Sequence, residues 1–289
     1  MARLQGECPW VPGYAHCGEK TAMLHMTTHG PVRKLVMARA FFGRSFYHTA
    51  AYWVDGLLID TGCAFSACEL LEATRPFPLA RIVNTHCHED HIGGNGLLQK
   101  ERGAAIAAHP LALPVLADPR RQYLQLYRRV FWGWPQPSVG EPVGDWVETE
   151  HYRFQVIPTP GHCPDHIALF EPGEGWLFSG DAFIGGQDRA ARPDYDMYVI
   201  IESLRRMAAL DPALLFPGSG TVGERPAREM WHKIAALEEL GEKVRRLHEE
   251  GLPVEAIRRR LLGPEAGIRW LTLGHFKGEH LIRAFLREP

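Results

Sequence analysis

Thr85-His86-Cys87-His88-Glu89-Asp90-His91, followed by Ile92-Gly93-Gly94-Asn95, is the stretch on which the reading of this 289-residue chain turns. Three imidazoles and two carboxylates fall within six positions, directly after Leu79-Ala80-Arg81-Ile82-Val83-Asn84, a short apolar run that reads as a strand. Neutral imidazole and ionised carboxylate are the borderline ligands taken by zinc, iron and manganese. If the chain stays extended beyond the strand, His86 and His88 point to one side, because side chains alternate with period two. Asp90 and His91 then come from the turn that opens the next helix, and the glycine pair lets the backbone bend closely there. A lone His-x-His would be better read as a polar loop. Four candidate ligands between a strand and a helix argue for a metal site.

His-x-His-x-Asp-His followed by Gly-Gly-Asn resembles the metal-binding signature of the metallo-β-lactamase superfamily, most closely its glyoxalase II and lactonase-type hydrolases. Further motifs follow the family order: Ile59-Asp60-Thr61-Gly62, Thr159-Pro160-Gly161-His162 and Ser179-Gly180-Asp181. Several ordered motifs are far more specific than any one alone, and together they cover roughly residues 34–221. The resemblance implies an α/β fold, a four-layered αββα sandwich of two similar halves, here with a helical C-terminal tail. It implies a first metal on His86, His88 and His162, a second on Asp90 and His91, and Asp181 bridging them. Two divalent ions follow as cofactors, with zinc first and iron or manganese as alternatives. Asp60 is expected to hold a ligand histidine in place. A metal-bound hydroxide would attack the substrate, with Asp90 orienting it and passing a proton to the leaving group.

One position departs from the pattern. The family supplies a last histidine from Pro-Gly-His-Gly, and this chain has Pro217-Gly218-Ser219-Gly220. A hydroxyl is a poor ligand at neutral pH. The second site is then weaker, or completed by water and oxygen ligands, or filled by His275 or His280. Helix-capping or core packing is the blander reading of His275.

The bulk numbers set limits. Hydrophobic content of 45% and charged content of 23% suit a soluble globular chain with a sizeable core. A net charge of -2 offers no electrostatic footprint for nucleic acid or an anionic membrane. No apolar run reaches bilayer length and the amino terminus lacks a signal-peptide core, so a cytoplasmic protein is expected. Six scattered cysteines without a Cys-x-x-Cys pair speak against a disulfide framework.

Along the chain, residues 1–33 show no clear periodicity and read as an N-terminal arm. Strands are predicted over 34–42, 49–54, 57–60, 81–84 and 104–108, with helices near 70–74 and 92–102 and from 110. Strand-helix alternation argues an α/β layer fold. Residues 118–137 carry Tyr123, Tyr127, Phe131, Trp132 and Trp134, an aromatic helical insertion that reads as a lid over an apolar substrate or as core. A second strand set is predicted over 152–157, 167–170, 176–179 and 213–216, with a helix over 199–210. Met230, Ile234, Leu237, Val244 and Leu247 recur at helical spacing from Pro226, and helices near 253–262 and 279–287 complete the tail. The domain reading is therefore 1–33, 34–225 and a 226–289 extension packed on it.

The leading functional expectation is a hydrolase of an ester-like bond: a thioester, lactone or similar small molecule. The alternative is a non-catalytic metal-containing protein that binds or senses a small ligand. Phosphodiesterase or nuclease activity ranks below both, because no basic surface is visible. The expected partner is a small-molecule substrate, without nucleic acid or membrane; a homodimer is compatible with the sequence.

Overall fold

The computed structural model describes residues 22–41, 44–45, 47–265 and 267–287. They fall into two units, the first running to Ala108 and adding Ala112–Pro142, the second comprising His109–Leu111 and the chain from Val143.

The first unit is built on a mixed sheet. Its strands are β1 (Ala22–His29), β2 (Val32–Phe41), β3 (Arg44–Ser45), β4 (Thr49–Val54), β5 (Leu57–Ile59), β6 (Arg81–Val83), β7 (Ala105–Ala108) and β8 (Glu141–Pro142). They lie in the order β1-β2-β4-β5-β6-β7-β8, with β3 on β2. Pairing is antiparallel up to β5 and parallel from β5 to β8. The connections dictate this change of sense. Asp55 and Gly56, both at positive φ (49° and 81°), close β4 onto β5 as a two-residue hairpin. Parallel neighbours need crossovers, supplied by α1 (Ala67–Thr74), α2 (Asn95–Arg102), and then α3 (Leu113–Ala117) with α4 (Leu126–Phe131). Leu35, Met37, Leu58, Ile82 and Ile106 of the sheet pack with Leu70, Leu71, Leu97 and Leu98 of α1 and α2. Each fully buried side chain of this kind contributes roughly 1.5–3 kcal/mol.

The second unit repeats the plan. Strands β9 (Trp146–Glu148), β10 (Arg153–Pro158), β11 (Ile167–Glu171), β12 (Trp176–Gly180), β13 (Leu214–Pro217) and β14 (Gly223–Glu224) lie in the order β14-β13-β12-β11-β10-β9. Only β12 and β13 are parallel, and α5 (Met197–Ala208) makes their crossover. Asp196 caps α5 by accepting from the amides of Tyr198 and Val199. The tail forms α6 (Ala227–Glu249), α7 (Val254–Leu262), α8 (Ile268–Leu271) and α9 (Gly278–Ala284). Met230, Ile234, Leu237, Val244 and Leu247 are buried as their spacing predicts, and they share one core with Leu177, Leu204, Leu215 and Phe285. The tail is thus a continuous part of this unit's interior.

Three expectations need correction. Residues 22–29, read as part of an arm, form an edge strand; its Met, His and Thr residues alternate too weakly in polarity to announce it, and Met23 and Met26 are exposed. The remainder of that arm lies outside the described residues. The helix expected from Ile92 starts at Asn95. Cys68 is disulfide-bonded, where the scattered cysteines argued against a disulfide framework, while Cys63, Cys87 and Cys163 form no disulfide. Among the described residues no helix is long and apolar enough to cross a membrane.

Candidate metal centre

In the first unit the candidate ligands gather where β5 and β6 end, the carboxyl edge at which parallel strands present ligand sites. Beyond Val83 the chain bends at Thr85, and His86 Nε2 lies 2.8 Å from His88 Nδ1. The His86 and His91 rings are 4.1 Å apart, and His91 Nε2 is 3.9 Å from Asp90 Oδ2. All three histidines are buried. The bent segment still brings the His86 and His88 nitrogens together, and the turn at 89–91 carries Asp90 and His91. The desolvated His86 and His88 nitrogens, this close together, fit a cation that both lone pairs can face. The donor set, imidazole with carboxylate, suits zinc, iron or manganese.

Asp60 fixes this arrangement. It sits in the left-handed region at φ 60°, where Asp is tolerated better than most side chains. Its Oδ1 accepts from the Thr85 amide at 2.8 Å, and its Oδ2 lies 2.7 Å from both Thr85 Oγ1 and His91 Nδ1. With Nδ1 engaged, Nε2 is the His91 nitrogen that can take an ion. The His91 carbonyl accepts from the Thr61 amide (2.8 Å) and Asn84 Nδ2 (3.2 Å), and Asn84 in turn pairs with Asn95. Gly93 is required by closeness: a Cβ there would fall 2.2 Å from the Cys63 carbonyl carbon.

The aromatic segment is tied to the same loop. Arg128 on α4 forms a two-pronged, buried ion pair with Glu89, and Gln122 donates to the Cys87 carbonyl. Of the rings, Tyr127 is buried while Tyr123 is 81% exposed, so the segment is part core and part surface. Cys87 is half-buried.

In the second unit, His162 follows Gly161, whose φ of 124° and 2.5 Å clearance to Ile200 Cγ1 admit no side chain. His162 Nδ1 lies 2.9 Å from Tyr195 Oη, and its Nε2 is 3.6 Å from Asp181 Oδ2. Burial pushes the Tyr195 phenol far above its ordinary value, so it keeps its proton. Asp181 follows β12 at a register shift, and its amide donates to His166 Nε2 at 3.1 Å. His166 Nδ1 is 2.8 Å from Thr159 Oγ1. His166 therefore supports Asp181, a role that no motif in the sequence signalled. Glu89, Arg128 and Tyr195 likewise gave no motif signal. Ser219 Oγ is buried without a hydrogen-bond partner. His275 and His280 bond to each other, His280 Nδ1 to the His275 carbonyl at 3.3 Å. Among the described residues neither joins a group of candidate ligands.

A family model described as the metallo-beta-lactamase superfamily matches residues 46–219. The hydroxyacylglutathione hydrolase of Chromohalobacter salexigens is 34% identical over 167 residues, 56% of this chain and 56% of that protein. The chain therefore spans little more than half the length of this relative. The structure of TTHA1623, solved in a di-iron-bound form, is 30% identical, covers 64% of this chain and 96% of its own, and superposes with a TM-score of 0.52. The metallo-beta-lactamase from Pontibacter korlensis shares the fold at 20% identity, with 74% and 98% coverage and a TM-score of 0.59. Two mixed sheets with flanking helices constitute the α/β metallo-β-lactamase fold, here with added C-terminal helices. With that fold and a family match over more than half its length, the chain belongs to the metallo-β-lactamase superfamily.

Proposed function

We propose that this chain is a metal-dependent hydrolase of ester-like bonds, acting on a thioester, a lactone or a similar small molecule. The observation that carries the reading is the group of three buried imidazoles at His86, His88 and His91, with His91 locked by Asp60 at 2.7 Å. Unsupported histidines would not need such a partner. The hydroxyacylglutathione hydrolase relatives support the thioester branch.

In this proposal His86, His88 and His162 hold one ion, Asp90 and His91 hold a second, and Asp181 serves both. Zinc is the first choice, and the di-iron form of TTHA1623 supports iron as the alternative. Bound divalent ions supply Lewis acidity and bring the pKa of water down to about 7. The chain's own residues do the rest. Asp60 and Tyr195 orient His91 and His162 through their Nδ1 atoms. Asp90, whose side chain is 13% exposed beside buried histidines, accepts the proton of the attacking water and returns it to the leaving group. The aromatic segment at 118–137 forms the wall that selects an apolar acyl group.

The test is turnover of aryl thioesters and lactones by the zinc-loaded chain, beside His88→Ala and Asp181→Ala. Both variants are expected to lose activity while keeping the fold; an unchanged rate in either removes the proposal. Ser219 favours a second reading, a ligand-binding protein, because it stands where the family supplies a histidine. Metal and ligand binding without turnover would select it.

A further inference from the structure

We propose that the C-terminal extension is part of the apparatus that sets His162, and that Tyr195 is the positioning residue through which it acts. This rests on the reading of His162 as a metal ligand. His162 lies in a turn, so no helix or strand fixes its ring. It is gripped twice from one short segment: Tyr195 Oη meets its Nδ1 at 2.9 Å, and Arg192 Nη2 donates to its carbonyl at 2.9 Å. Arg192 is itself buried, bonded to Asp194, and its guanidinium carbon stands 4.9 Å from the Tyr195 ring centre.

That segment has no regular structure of its own, and the tail supplies what holds it. Ala191 and Lys277 exchange two backbone hydrogen bonds of 3.2 Å. Arg287 donates to the carbonyls of Pro193 and Tyr195, the latter at 3.3 Å. Phe276 packs edge-on against the Tyr195 ring at 6.1 Å. These contacts flank α9, whose Leu281, Ile282 and Ala284, together with Phe285 just beyond it, are buried in the core. The residues on either side of a buried helix thus reach a metal-ligand candidate through the segment of Ala191 to Tyr195. Ligation through Nε2 requires the proton on Nδ1, and the Tyr195 oxygen is placed to accept it.

The experiment uses the full chain and zinc. Tyr195→Phe and Arg287→Met are compared with the parent, with His162→Ala, and with Arg283→Met, which breaks an exposed ion pair with Glu279 on α9. Zinc affinity is read by competition with a chromogenic chelator, and the His162 ring tautomer by nitrogen-detected NMR of the metal-free chain. Tyr195→Phe and Arg287→Met are expected to lower affinity about 10–100-fold and to move the His162 ring signals, with Arg283→Met like the parent. If His162→Ala binds zinc as tightly as the parent, the metal-ligand reading fails. If His162→Ala loses zinc but Tyr195→Phe keeps parental affinity and ring signals, the positioning role fails. Loss in Tyr195→Phe without loss in Arg287→Met overturns the part given to the tail.

Discussion

Arg128 closes both prongs of its guanidinium on the Glu89 carboxylate, with the Arg128 side chain 9% exposed and that of Glu89 fully buried. Glu89 lies between His88 and Asp90, so the ion pair joins the aromatic segment to the loop carrying the candidate ligands. A buried pair of this kind adds little net stability, but removing one partner strands a buried charge. Arg128→Met is therefore expected to destabilise the chain by about 3–5 kcal/mol in urea denaturation. The double variant Glu89→Leu/Arg128→Met should recover most of that loss. Equal stability of single and double variants would show that the charge is solvated instead.

Asp60→Asn keeps an acceptor for the Thr85 amide but turns an amide donor toward His91 Nδ1. His91 must then accept at Nδ1 and carry its proton on Nε2, the nitrogen that faces an ion. Zinc affinity should fall about 10–100-fold with only a modest change in melting temperature. Chelator competition checks this, and parental affinity in Asp60→Asn would remove Asp60 from the site's support.

Much of this arrangement was legible in the residues. The turn at Asp90 and the buried strand that runs into Asp60 follow from apolar patterning and glycine placement, which are local properties. Helix α6 was readable because five apolar residues recur three, four or seven positions apart, on one face of a helix. Glu89 with Arg128, separated by 39 positions, and His162 with Tyr195, separated by 33, left no local trace, since only tertiary packing brings them together. Edge strand β1 escaped for the opposite reason: with one neighbour and a largely exposed face, it needs no apolar alternation.

The tail carries its own acid sensitivity. Two hydrogen bonds from Arg258, at 2.8 and 2.9 Å, pull the Glu255 carboxyl down to about 2 from an ordinary 4.5. A lowered folded-state pKa contributes stability that is present above pH 4.5 and lost as pH falls toward 2. Glu255 is half exposed, so salt screens the pair and the contribution at neutral pH is small. Glu255→Gln should flatten the fall in melting temperature between pH 4.5 and 2, and the difference should shrink in high salt. Parallel pH profiles of parent and variant would refute the assignment.

Ser219 provides the sharpest test of metal stoichiometry. The Gly218 amide donates to the Gly180 carbonyl at 2.8 Å, and Pro217 pairs with Gly180, so Ser219 follows β13 beside Asp181. Its hydroxyl is buried with no hydrogen-bond partner, a cost of about 1–3 kcal/mol that a bound ligand would relieve. A serine oxygen binds zinc weakly, whereas an imidazole there would complete the second set. Ser219→His is therefore expected to raise bound zinc from about one equivalent per chain to two, counted by elemental analysis after desalting. If the parent already retains two equivalents, the second site is completed by oxygen ligands. The substitution should then leave the count alone and shift the preference from iron or manganese toward zinc. Neither a higher count nor a changed preference would mean that Ser219 does not face the ions at all.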